Sequence, residues 1–218
     1  MEAVERMVLS NDWITGILLL SLLCMVFAKE LFYNRFLNFI ILPFNNKYIF
    51  LYNKKGLLQN GFHLAFSLFQ ILNLSLFIYL GSLAWWQESR WGTSFVFPTI
   101  LVALLGFILL KTGLQLITGY IFDREKLVKS LLFKKISYLN YSTLVLFAAN
   151  LLLTYLLPQS KAIVLAGFAL ALLVNIIGWI TILKMYQKYL SSHFFYFILY
   201  LCALEIAPLV IISSVLNS

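Results

Sequence analysis

Charge is scarce in this sequence. Asp, Glu, Lys and Arg make up 11% of its 218 residues, against roughly 25% in soluble domains, too little to cover an ordinary water-facing surface. Acids are scarcer still, eight against sixteen bases. Cysteine occurs twice, as Cys24 and Cys202, each inside an apolar run and without CxxC or metal-ligand spacing, so neither a disulfide framework nor a metal site is expected. Also missing are HExxH, GxSxG, a Gly-rich phosphate loop and the close carboxylate pair of intramembrane proteases. No enzyme activity, metal or cofactor is therefore expected.

Apolar residues are abundant, at 62% of the chain, and they fall in blocks of about 20, the length of a helix that crosses about 30 Å of hydrocarbon. The expected fold class is an all-α membrane protein, a bundle of six transmembrane helices with cytoplasmic interfacial segments. The whole chain, 1–218, forms one transmembrane domain, because no stretch between the spans is long enough to bury a soluble core. The spans cover about 13–31, 61–86, 95–120, 139–157, 162–183 and 194–216. The first is entered through Asn11 and Asp12, which suit a helix cap, and no small-x-small cleavage site follows it, so a signal peptide is not expected. Interfacial segments are expected over about 33–60, where Pro43 and the Asn45-Asn46 pair interrupt short apolar pieces. A second is expected over about 123–137, where Leu127, Val128, Leu131 and Leu132 form one face among five bases. Gly167, Ala171, Asn175 and Gly178 place small or polar groups along one face of the fifth span, the pattern of close helix packing.

Orientation follows from the bases. Lys29, Arg35, Lys47, Lys54 and Lys55 lie between the first two spans, Arg124, Lys126, Lys129, Lys134 and Lys135 between the third and fourth, and Lys184 and Lys188 between the fifth and sixth. The positive-inside rule then puts these links in the cytoplasm and both termini outside. Arg35, Lys47, Lys54, Lys55, Arg124, Lys126, Lys129, Lys134 and Lys135 make a cytoplasmic interface facing anionic lipids of the inner leaflet. The net charge of +8 is accounted for by that bias, and nucleic-acid binding is not expected.

Polar residues inside the spans form one layer. Glu205, near the middle of the last run, must be neutral, paired or wet, because hydrocarbon offers a carboxylate no hydration. Pro208 removes the helical donor to the Leu204 carbonyl and kinks the span beside it. At about 1.5 Å per residue, Glu205 lies about 16 Å deep and Lys111 about 12 Å deep, so the two are candidate partners. Gln115 shares the helix face of Lys111 four residues on, and Gln70, Asn73, Asn150 and Asn175 fall at similar depth. Three readings fit this layer: hydrogen-bonding glue between helices, a wet cavity that binds a ligand, relays protons or locks two helices as a switch, or a polar site that meets a partner protein's helix. His63 and His193 sit at span ends without a third ligand and read as interfacial. Asn140-Tyr141-Ser142 matches a glycosylation sequon on the side where it would not be used.

Three stretches carry a resemblance: Leu42-Pro43-Phe44-Asn45-Asn46-Lys47-Tyr48 with Tyr52-Asn53-Lys54-Lys55-Gly56; Lys135-Ile136-Ser137-Tyr138-Leu139-Asn140-Tyr141; and Phe195-Tyr196-Phe197 through Tyr200 to Pro208. They resemble a family of uncharacterised polytopic inner-membrane proteins of Bacteroidota, over nearly the whole chain. The resemblance implies a bacterial cytoplasmic membrane with the N-terminus in the periplasm. It supplies no activity and no binding residue. Short links, two cytoplasmic surfaces and no enzyme signature together suggest an accessory or scaffolding subunit of an inner-membrane complex, partnered by other inner-membrane or envelope proteins in protein export or envelope assembly. The alternative is a small proton- or ion-coupled carrier using Glu205 and Lys111.

Overall fold

The computed structural model describes residues 12–45, 47–53, 61–85, 93–123 and 125–186, which are helical apart from turns. Helix α1 spans Asp12–Leu31, α2 Tyr33–Ile40, α3 Lys47–Tyr52, α4 Gly61–Trp85, α5 Thr93–Ile121, α6 Glu125–Leu151 and α7 Lys161–Tyr186, with a π-turn over Leu152–Leu156 extending α6. Five of these elements are long and apolar enough to cross a membrane: α1, α4, α5, α6 with its π-turn, and α7. The expected sixth span, 194–216, lies outside the described residues.

Local chemistry sets the breaks. Asp12 stands in the first turn of α1 and Lys29 in its last, each complementing the helix dipole. Phe32 leaves the helical region between α1 and α2. Pro43 follows in a turn closed by the Phe44 and Asn45 amides on the Ile41 carbonyl, at 3.0 and 2.8 Å. The Asn45 side-chain oxygen then accepts the Lys47 amide at 3.0 Å and starts α3. Asp123 (φ 51°) and Gln159 (φ 60°) take the left-handed conformation in the tight turns before and after α6.

The α6 helix corrects one expectation. A surface helix over 123–137 and a separate span from 139 were expected; a single helix runs through both. Its sequence from 125 to 151 contains neither Gly nor Pro, so nothing in it breaks a helix. Its hydroxyls bond back to the helix itself: Ser137 donates to the Phe133 carbonyl at 2.7 Å and Thr143 to that of Leu139 at 3.0 Å. Val128 and Leu132, from the expected apolar face, are buried in the bundle.

Two cores hold the helices. An aliphatic one gathers Ile14 and Leu18 of α1, Leu76 and Leu80 of α4, Leu146 of α6 and Val164 of α7. At this end Trp13 meets Tyr79 and Phe97 with ring centroids 5.2 and 5.3 Å away. The other core, at the opposite end, is aromatic: Phe39, Tyr48, Phe62, Phe66, Phe69 and Phe133 are all buried there with Leu42 and Ile49. It clamps α2 and α3 against α4 and α6.

The small face of α7 is used for close approach. A Cβ on Gly178 would stand 2.5 Å from the Tyr138 ring, and one on Gly167 2.9 Å from the Ala149 Cβ. By contrast, a Cβ on Gly106 of α5 would meet nothing within 4 Å. Gly178→Ala should therefore lower stability by about 1–3 kcal/mol, whereas Gly106→Ala should be neutral or stabilising by up to about 1 kcal/mol. Thermal unfolding of both variants in detergent checks this contrast.

Candidate functional site

The predicted polar layer separates into three parts. In the first, Asn73 of α4 and Asn150 of α6 meet in the buried interior: the Asn150 amide donates to the Asn73 backbone carbonyl at 2.9 Å and lies 3.4 Å from its side-chain oxygen. Asn73 in turn donates to the Phe69 carbonyl at 2.9 Å. These contacts tie helices together and present no open surface. Asn175 stands apart, donating to the Ala171 carbonyl of its own helix at 2.8 Å. Asn140, from the sequon, is fully buried, and neither atom of its side-chain amide finds a hydrogen-bond partner among the described residues.

The second part is a cleft of about 220 Å³ between α4, α5 and α6. Gln70, Lys111 and Gln115 from the predicted layer line it together, joined by Ser67, Thr112 and Lys135. Lys111 and Gln115 reach it because residues four apart share a helix face. The Lys111 ammonium stands 5.6 Å from the centre of the Phe107 ring, and that of Lys135 5.6 Å from the centre of the Trp179 ring. A ring face attracts a cation placed over it in this way. The rest of the wall is apolar, with Leu104, Ile108 and Leu139 among its side chains. Glu205 and Pro208 lie outside the described residues.

The third part is the aromatic base, where sequence reasoning missed most. His63, expected at an interface, is 3% exposed, and its Nε2 shares a hydrogen bond with the Tyr48 hydroxyl at 3.2 Å. Burial pushes the Tyr48 phenol above its ordinary range, against the opposing effect of the Arg35 charge, so it remains a neutral hydroxyl. The Tyr48 ring stacks on Phe133 with centroids 5.9 Å apart and planes 10° apart. Phe39 packs on Phe66, Tyr48 and Phe62 at 4.6, 5.5 and 5.6 Å. A signal for this cluster was present: Phe32, Phe36 and Phe39, like Phe62, Phe66 and Phe69, repeat at helical spacing.

The predicted basic interface is distributed differently from expectation. Lys47 and Lys126 are exposed, and Lys129 pairs with Glu125 one turn earlier. Arg35 lies 4.5 Å over the Tyr52 ring. Lys134, expected on the exposed basic face, is 2% exposed. The reason is the continuity of α6: positions 134, 137 and 138 share one side of the helix, and all three are buried. Lys135 turns toward the cleft. Lys54, Lys55 and Arg124 lie outside the described residues. No group of three or more His, Cys, Asp or Glu is placed to hold a metal among the described residues.

Among the described residues, the fold is thus a helical bundle with five helices of membrane length and, between three of them, a largely apolar cleft that Lys111, Lys135, Gln70 and Gln115 help to line. The chain belongs to the family described as Domain of unknown function (DUF4271), which matches residues 14–216. No curated protein and no solved structure matches it.

The asparagine pair makes a prediction. Because the 2.9 Å bond ends on the Asn73 backbone, Asn150→Ala should cost about 0.6 kcal/mol, with an upper bound of about 1.7, and Asn73→Ala less than half of that. Equal losses in detergent unfolding would contradict the assigned geometry.

Proposed function

We propose that this chain is a multi-pass protein of a bacterial inner membrane, of the Bacteroidota type its motifs resemble. It serves without chemistry of its own as an accessory or scaffolding subunit of a larger complex, one concerned with protein export or envelope assembly. The aromatic end, with α2, α3 and the turn between α5 and α6, faces the cytoplasm in this proposal, supported by the bases gathered there.

The observation that carries the reading is the construction of α2 and α3. Phe39, Leu42, Tyr48 and Ile49 are fully buried, so these short helices are fixed against the bundle rather than strung between spans. The outward side of α3 and the turn before it keeps Phe44 at 89% and Phe50 at 62% exposure, with Lys47 between them. A rigid surface of exposed rings and a base docks a partner at a lower ordering cost than a flexible link would. The carrier alternative depends on Glu205, and no described contact favours it.

The test is recovery of bound proteins, by mass spectrometry, from the chain tagged at its native locus and extracted in mild detergent. A defined set of membrane proteins should be recovered stoichiometrically. Lys47→Glu combined with Lys126→Glu should release that set while the variant remains inserted. Recovery of the chain alone would contradict the subunit reading.

A further inference from the structure

We infer that the cleft between α4, α5 and α6 binds the phosphate of an anionic phospholipid, with the acyl chains leaving along α5. This rests on the membrane-inserted reading above and adds a ligand to the cleft, which the scaffold role does not use.

The donor set suits a phosphate. Lys111 and Lys135, on facing helices, line the cleft together with Gln70, Gln115, Ser67 and Thr112, and the Lys135 ammonium also stands over the Trp179 ring of α7. Lysine binds a phosphate as a point charge, and amides and hydroxyls complete its oxygen contacts. The cleft volume of about 220 Å³ equals the liquid volume of about seven waters, a fit for a phosphodiester with its glycerol rather than a whole lipid.

The depth suits a headgroup. Helix α5 has 29 residues, and α6 with its π-turn has 32, or about 43 and 48 Å. Both exceed the hydrocarbon thickness of about 30 Å by roughly 13–18 Å. The surplus lies at the turn joining them, because Asp123, Glu125, Lys126 and Lys129 crowd that end. No charged residue occurs over 93–110 or 136–156. Lys111 and Lys135 are each ten positions from that turn, about 15 Å along the helix, where the hydrocarbon gives way to headgroups. Basic pockets between helices at this level are the kind that hold acidic lipids.

The wall suits a chain. Leu104, Ile108 and Leu139 continue the cleft as apolar surface. Beyond it α5 is mostly exposed, with Leu105 at 40% and Leu109 at 64%, so acyl chains leaving the cleft meet apolar side chains. A soluble phosphate has no use for that surface, which favours the lipid as the source of the anion.

The experiment is native mass spectrometry of the full chain purified from membranes in detergent, delipidated and titrated with phosphatidylglycerol, phosphatidylcholine or glycerol 3-phosphate. Phosphatidylglycerol should bind at least about tenfold more tightly than phosphatidylcholine, and Lys111→Gln with Lys135→Gln should remove about tenfold or more of that affinity. Replacing both lysines with Arg should keep the preference, which separates lost charge from lost folding. Glu205→Gln should leave the preference in place; its loss would show that the preference depends on the Glu205 carboxylate rather than on the lysines alone, and would overturn the assignment. Equal binding of the two lipids, or an unchanged preference in the double Gln variant, would also overturn it. Binding of glycerol 3-phosphate as tight as that of the lipid would make the ligand a soluble anion and overturn the lipid assignment. A chain found in the soluble fraction before purification would overturn the membrane reading and this inference together.

Discussion

The contact on which the rest of the structure depends is the packing of Phe39 and Tyr48 onto Phe62, Phe66 and Phe133. It joins four elements, α2, α3, α4 and α6, in one aromatic core. Edge-on and tilted ring pairs of this kind contribute about 0.5–1.5 kcal/mol each beyond the area they bury. Remove that core and α2 and α3 become a linker, since eight and six residues are too few to hold a helix alone. The π-turn end is held by the aliphatic core, with Tyr155 donating to Thr15 across α6 and α1 at 3.0 Å. What the aromatic core adds is the attachment of the two short helices, at the end where the bases lie.

Two kinds of polar residue occur in the apolar helices, and their surroundings separate their roles. Asn73 and Asn150 spend their donors on backbone carbonyls in a closed interior. Between membrane helices such bonds contribute modestly, about 0.6 kcal/mol on average. Lys111, Gln70 and Gln115 instead face a space. Interhelical contact and cleft lining thus fall to different residues of the layer.

Much of this was legible in the sequence. Apolar runs near 13–31, 61–86, 95–120 and 162–183 correspond to α1, α4, α5 and α7, because 20 apolar residues specify a membrane-length helix with little help from context. The break expected before 139 was not there. Charge over 124–135 reads as a separate surface helix, but a helix without Gly or Pro continues through a change of polarity and carries Lys134 inside with it. Depth arithmetic brought Gln70, Lys111 and Gln115 to one level, and the four-residue spacing put the last two on one face. That Lys135 joins them was hidden by the same expected break. Depth could not separate Asn73 and Asn150 from the cleft either, since it gives height along a helix and not direction around it. The role of His63 depended on Tyr48, fifteen positions earlier, a tertiary contact that no local pattern encodes.

Hydrogen exchange of the full chain in lipid nanodiscs, read by mass spectrometry, tests the account most directly. If the aromatic core fixes α2 and α3 to the bundle, amides over 36–42 and 48–52 exchange nearly as slowly as those of α4. Rapid exchange across both segments, with α4 still protected, would contradict the account and make the stretch a linker.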